Sequence, residues 1–145
     1  AEGKKTTVYT CCSTHKPNTF TFSVPAEGAW YGFYVAGTEY DGYLRWAYNS
    51  WVKNPLHDTR FRQWPAGDTY MIYPYGRSSV RFEMLIEGIQ AYEKIRILRE
   101  KFTATGNTAK LAELDALQET FNFNSQYTDD FSTLIRQGQE RLNAF

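Results

Sequence analysis

A chain of 145 residues and 16.9 kDa suits one domain around a single hydrophobic core, able to bury about two-thirds of its unfolded surface. Lys plus Arg and Asp plus Glu each number 16, so the formal net charge is zero, and without a basic stripe to displace phosphate counterions no nucleic-acid partner is expected. No apolar run approaches the about 18 residues of a membrane span, and the start AEGKKTT lacks the apolar stretch of a signal peptide, so any export address is expected upstream.

The β-branched and aromatic run TTVYTCCS predicts a short buried strand from Thr6 to Cys12. Its adjacent Cys11 and Cys12 read as two small residues on opposite strand faces, with a strained vicinal disulfide as the alternative. STHKPNTFTFSVPAEG, with its prolines and turn formers, is a loop. EGAWYGFYVAG follows as a helix of about ten residues, capped at Gly37. DGYLRWAYNSW opens on a turn pair and continues as a strand, Tyr43, Arg45, Ala47 and Asn49 facing one side and Leu44, Trp46 and Tyr48 the other. Strand, loop, helix, strand is the order of a βαβ unit with a parallel sheet, hence an α/β fold.

Residues 52–77 form a long Pro- and Gly-punctuated connection with a β-like run, TYMIYP; connections of this length are often functional. Ser78 or Ser79 then caps a long helix reaching about Phe102, with Leu85, Ile89, Tyr92, Ile95, Leu98 and Phe102 on one stripe. Two further helices, AKLAELDALQETF and DDFSTLIRQGQERLNAF, follow a Gly106-Asn107 turn. The chain divides accordingly into residues 1–102 and a helical extension, 103–145.

No phosphate loop, dinucleotide fingerprint, HExxH, GxSxG or spaced Cys/His signature occurs, so neither a cofactor nor a metal is expected. His15 and His57 stand alone in polar loops and read as surface residues. Within a chain of 17 % aromatic content, Trp, Tyr, Asn, Arg and Asp concentrate together in DGYLRWAYNSW and NPLHDTRFRQWPAGDTYMIYP, one strand end and its following loop. At the C-terminal end of a parallel strand such residues face a ligand crevice, and Trp and Tyr suit stacking on sugar rings. The residues alone leave a second reading open, in which Trp46, Tyr48 and Trp51 pack the core and Arg45 sits in a structural ion pair.

Three segments carry a resemblance: Leu44, Arg45, Trp46, Ala47, Tyr48, Asn49, Ser50 and Trp51 in succession, the Gly67-Asp68-Thr69 turn, and the helix start Arg81-Phe82-Glu83. Over about Val8 to Leu98 the sequence resembles the closing part of the catalytic domain of glycoside hydrolase family 123. The resemblance implies the C-terminal part of a (β/α)8 TIM barrel, its last strands and return helix, followed by C-terminal helices. It also implies β-N-acetylgalactosaminidase activity in a longer parent. There the substrate's acetamido oxygen attacks the anomeric carbon, an Asp orients it, and an adjacent Glu acts as acid and base, one of the exceptions to the two-carboxylate scheme.

No Asp-Glu dipeptide occurs in these 145 residues, and the one adjacent acidic pair, Asp129-Asp130, sits at a predicted helix start. No catalytic residue is therefore carried over, and the chain alone is expected to be inactive. Substrate contacts are carried over to Tyr9, Trp46, Tyr48, Asn49 and Trp51. Asp68 and Arg81 are expected to fix the loop and helix start by an ion pair or hydrogen bonds. One departure is Tyr75, where the family pattern has glycine after Pro74.

The partners implied are a β-linked N-acetylhexosamine glycan and either the N-terminal remainder of the same protein or, through an exposed sheet edge, a second copy. Export to a bacterial periplasm or cell surface follows from the family's usual substrates. The rival reading is a non-catalytic carbohydrate-binding or structural module.

Overall fold

The computed structural model describes residues 3–145. Strand β1 (Thr7–Tyr9) pairs in parallel with β2 (Gly42–Leu44), and helix α1 (Ala26–Thr38) makes the crossover between them. A short 3₁₀ turn over Pro74–Gly76 precedes α2 (Val80–Ala104). Helix α3 (Thr108–Gln118), two further 3₁₀ turns and α4 (Phe131–Asn143) complete a helix-rich structure built on a small two-stranded sheet. No helix of the described residues is long and apolar enough to cross a membrane.

Helix α1 is the centre of the molecule, with every residue from Ala26 to Ala36 buried. A helix apolar on all sides needs cover on all sides. The sheet supplies it through Val8 and Tyr43, and α2, α3 and α4 supply the rest through Ile95, Leu98, Phe102, Leu114, Phe131 and Ile135. Much of the aromatic content is spent here. Trp30 stacks on Tyr34 at 4.2 Å between ring centroids, Phe33 on Phe121 at 4.4 Å, and Phe131 meets Trp30 edge-on at 6.4 Å, geometries that add to the burial itself.

Gly32 and Gly88 let α1 and α2 touch backbone to backbone, since a Cβ on Gly32 would lie 1.8 Å from the Gly88 carbonyl oxygen. Gly37 does not cap α1 as expected. A Cβ there would meet the Gln118 carbonyl oxygen at 2.7 Å, so its place is a close approach to α3. The left-handed cap is Glu39, at φ 56°, and its N–H returns to Val35 O.

Helix α2 begins as read, with Ser79 accepting from Phe82 N–H at 3.2 Å, and extends for about 37 Å. Its stripe differs in one member. Ile89 is exposed, and Gly88 and Ala91 occupy the buried line instead, because contact with α1 requires small residues there. Asn107 and Asp130 cap α3 and α4 by accepting from Lys110 N–H and Thr133 N–H.

Both strands are shorter than predicted. Thr10 to Cys12 leave the ladder, so the cysteines are not on opposite strand faces; both are free, half-buried thiols at the turn after β1. Beyond Leu44 the predicted alternation fails, since Arg45 and Trp46 both reach Asp68. TYMIYP forms no strand and contributes only isolated bridges, Asn49 with Tyr70 and Tyr73 with Arg77. Tyr75 adopts φ 66° and ψ 30°, the left-handed conformation that glycine takes without a Cβ penalty, so the departure from the family pattern leaves the turn intact at some conformational cost.

The first turn of α1 is tied to the preceding loop by Glu27, whose Oε2 accepts from Asn18 N–H at 2.7 Å and whose Oε1 accepts from Val24 N–H at 2.9 Å. Burial raises the Glu27 pKa above its ordinary 4.5, against the pull of those two N–H groups. The folded state thus holds this proton more tightly than the unfolded chain. The corresponding stability is fully present below about pH 4.5 and is lost as pH rises through the folded-state value. Urea unfolding of the wild type and Glu27→Gln at stepped pH should show the wild type losing stability relative to the variant as pH climbs through the weakly acidic range. A difference of the opposite slope refutes the assignment.

Candidate functional site

The C-terminal ends of β1 and β2 open onto a surface built in two layers, a buried polar floor and an exposed aromatic rim. The floor centres on Asp68, which is fully buried. Arg45 Nη2 donates to Asp68 Oδ1 at 2.7 Å, Arg45 Nε donates to the Asp68 carbonyl at 3.1 Å, and Trp46 Nε1 donates to Oδ2 at 3.1 Å. Arg45 Nη1 reaches Asn18 Oδ1 at 2.8 Å, and Asn18 in turn donates to the carbonyls of Cys11 and Thr14. The planar guanidinium thus ties the segment after β2 to the loops after β1 and before α2 in one fixed geometry.

Arg81 performs a parallel task at the start of α2. Its Nη1 donates to the carbonyls of Thr19, Gly67 and Tyr70 at 2.9 to 3.1 Å. Gly67 is required there on two counts, for its φ of +83° and because a Cβ would lie 2.3 Å from that nitrogen. Asp68 and Arg81 do not pair with each other. Beside them Thr10 Oγ1 lies 2.9 Å from Tyr31 Oη and 3.1 Å from Tyr43 Oη, and Tyr31 donates to Pro17 O. Burial holds the Tyr31 hydroxyl well above its usual pKa, so Tyr31 stays neutral.

The rim is apolar and open. Tyr9 and Leu44 are direct partners in the parallel register and project from the sheet face away from α1, 48 % and 53 % exposed. Trp46, Tyr48 and Trp51 continue the rim at 47 %, 46 % and 40 %. Tyr9 and Trp46 share an open cleft of about 390 Å³ with Cys11, Cys12, Phe61 and Trp64, and Arg62 stands at its wall. The Ser13 hydroxyl, 3.5 Å from Cys11 Sγ, and the Ser13 backbone hold the Cys11 thiol below its ordinary pKa.

Of the residues singled out from the sequence, Tyr9 and Trp46 therefore meet in one cleft, whereas Tyr48, Asn49 and Trp51 lie outside its lining. Tyr48 meets Phe82 edge-on at 5.9 Å, Asn49 bridges to Tyr70, and Trp51 Nε1 donates to Ile72 O at 2.7 Å. Of the core-packing reading, the structural ion pair of Arg45 is present and buried, whereas Trp46, Tyr48 and Trp51 are exposed and do not pack the core. Phe61, Arg62 and Trp64, and Asn18 in the floor, were not singled out. The dense run RFRQW was the available signal, but its position over β1 depends on how residues 52–68 fold back through the Ser50 N–H to Thr69 O and Gly67 N–H to Thr59 O bonds. Among the described residues no three His, Cys, Asp or Glu side chains gather as a metal site requires.

The family profile described as "Glycoside hydrolase 123, catalytic domain" matches residues 1–98. No curated protein matches the chain. Among solved structures, a family 123 glycoside hydrolase from Clostridium perfringens, studied for glycolipid glycan hydrolysis, is similar at 29% identity with a TM-score of 0.74. The similarity covers 98% of this chain and 26% of that one, so the chain spans about a quarter of that enzyme's length.

Proposed function

The chain belongs to the glycoside hydrolase 123 catalytic-domain family, and we propose that it supplies the substrate-contacting wall of a glycosidase acting on β-linked N-acetylgalactosamine glycans. The observation that carries the reading is the pairing of exposed Tyr9 and Trp46 over one cleft, at the C-terminal ends of adjacent parallel strands. Open sheets and barrels place ligands at that end. A sugar ring offers an apolar C–H face to an aromatic plane, and the Arg45–Asp68 floor holds Trp46 in place through its indole N–H.

In this reading β1, α1, β2 and α2 are the closing part of a (β/α)8 barrel, and Tyr48, Asn49 and Trp51 extend the contact surface for further sugar units. Substrate-assisted cleavage needs an adjacent Asp and Glu, which these residues do not contain, so the chain contributes contact rather than cleavage. Export to a bacterial periplasm or cell surface belongs to the same proposal. The missing dipeptide equally favours the second reading, a carbohydrate-binding module without chemistry. The two part on hydrolysis of an aryl β-N-acetylgalactosaminide by the longest natural polypeptide that carries this sequence.

Titration calorimetry with a neutral glycan ending in β-linked N-acetylgalactosamine tests the wall itself. Trp46→Ala should weaken binding by about three- to tenfold, the scale of one lost aromatic contact, with Trp46→Phe falling between it and the wild type. Absence of any binding heat from a wild-type chain with a cooperative unfolding transition would sink the proposal.

A further inference from the structure

Within the cleft, Arg62 is unlike its neighbours. Its backbone lies at φ 57°, a conformation that side chains other than glycine, Asn and Asp rarely adopt, and such outliers persist chiefly where the surroundings or a binding task hold them. Its guanidinium sits 5.4 Å from the centroid of the Phe61 ring, which lines the same cleft. That contact fixes the direction of the cation without neutralising it.

The surrounding carboxylates are committed elsewhere. Asp58 forms a two-bond pair with Arg60, Asp68 is closed off by Arg45 and Trp46, and no acidic residue lines the cleft. Among the described residues Arg62 has no ion-pair partner. In a chain of zero formal net charge, Arg62 thus stands at the wall of an aromatic cleft as a cation unpaired among the described residues.

An aromatic plane with a fork of N–H donors at its edge matches a sugar ring with an oxyanion attached. The fork is matched by two oxygens on one centre, as in a carboxylate or a sulfate ester, and neutral hydroxyls use it poorly. We infer that this cleft selects glycans bearing an anionic substituent, a sugar carboxylate or a sulfate ester, and that Arg62 is the residue that binds it. The inference rests on the proposed glycan-binding role of Tyr9 and Trp46 and adds the class of glycan.

Three oligosaccharides with a common β-N-acetylhexosamine core, one neutral, one sulfated and one carrying a sialic acid carboxylate, distinguish the sources in a calorimetric titration. The wild-type chain should bind at least one anionic form about tenfold more tightly than the neutral one, with the margin shrinking at high salt. Arg62→Gln should remove the margin between the anionic and neutral glycans. Arg62→Gly, which suits the left-handed backbone and should fold at least as well, must do the same. Arg60→Gln, whose guanidinium is already held by Asp58, should keep the margin.

Equal binding of all three glycans by the wild type, or a margin that survives both Arg62 variants, overturns the inference while leaving the aromatic wall standing. Failure of every glycan to bind overturns both.

Discussion

Asp68→Ala is expected to lower the unfolding free energy by about 3–5 kcal/mol, measured by urea denaturation followed through tryptophan fluorescence. The carboxylate is fully buried and its partner Arg45 is 4 % exposed at the side chain, so the deletion leaves a guanidinium without its counter-charge and without solvent. The size of the effect comes from that stranded cation more than from the worth of the pair. Arg45→Met combined with Asp68→Leu should therefore recover most of the loss, because it removes both charges. A loss under about 1 kcal/mol in Asp68→Ala would mean that water reaches Arg45 in the folded protein. The same substitution frees Trp46 Nε1, so glycan affinity should fall along with stability if the floor orients the rim.

Gly32→Ala should destabilise by about 3 kcal/mol, although alanine is the better helix former by about 1 kcal/mol. Packing outweighs propensity because the added Cβ would lie 1.8 Å from the Gly88 carbonyl oxygen and 2.2 Å from its carbon. Backbone atoms of a facing helix cannot swing aside as a side chain can, so α1 and α2 must separate and open the aromatic core between them. Gly28→Ala is the internal control. Its Cβ would meet Met84 Cβ at 3.1 Å and Arg81 O at 3.2 Å, contacts that shifts of a few tenths of an ångström relieve. Equilibrium urea unfolding followed by far-ultraviolet circular dichroism should rank wild type above Gly28→Ala and Gly28→Ala well above Gly32→Ala. Equal midpoints for Gly32→Ala and wild type would show that the helices can part without loss.

The split between aromatic residues illustrates how far local reasoning reaches. Trp30 and Trp46 are the same residue type in similarly aromatic runs, yet one is 2 % exposed and stacked in the core while the other is 47 % exposed at the rim. Nothing within either run separates them. Likewise Ile89 and Ile95 both fall on the apolar stripe of α2, and only the approach of α1 at Gly88 leaves the first in solvent.

The sequence by itself determined the βαβ order, the start of α2 at the Ser78-Ser79 pair, the two later helix positions and the membership of the glycosidase family. Each of these follows from short-range signals, capping residues, turn formers and a recognisable run of side chains, that act over a few neighbouring positions. The tertiary structure decided the shortness of the strands, the partner of Asp68, the placing of Arg62 and Phe61 beside Tyr9, and which glycines carry contacts. Those outcomes depend on residues such as Arg45 and Asp68, 23 positions apart, or Gly32 and Gly88 on different helices, meeting only once the chain has folded. Hydrogen bonding and close packing act between neighbours in space, and a linear pattern records neighbours in sequence.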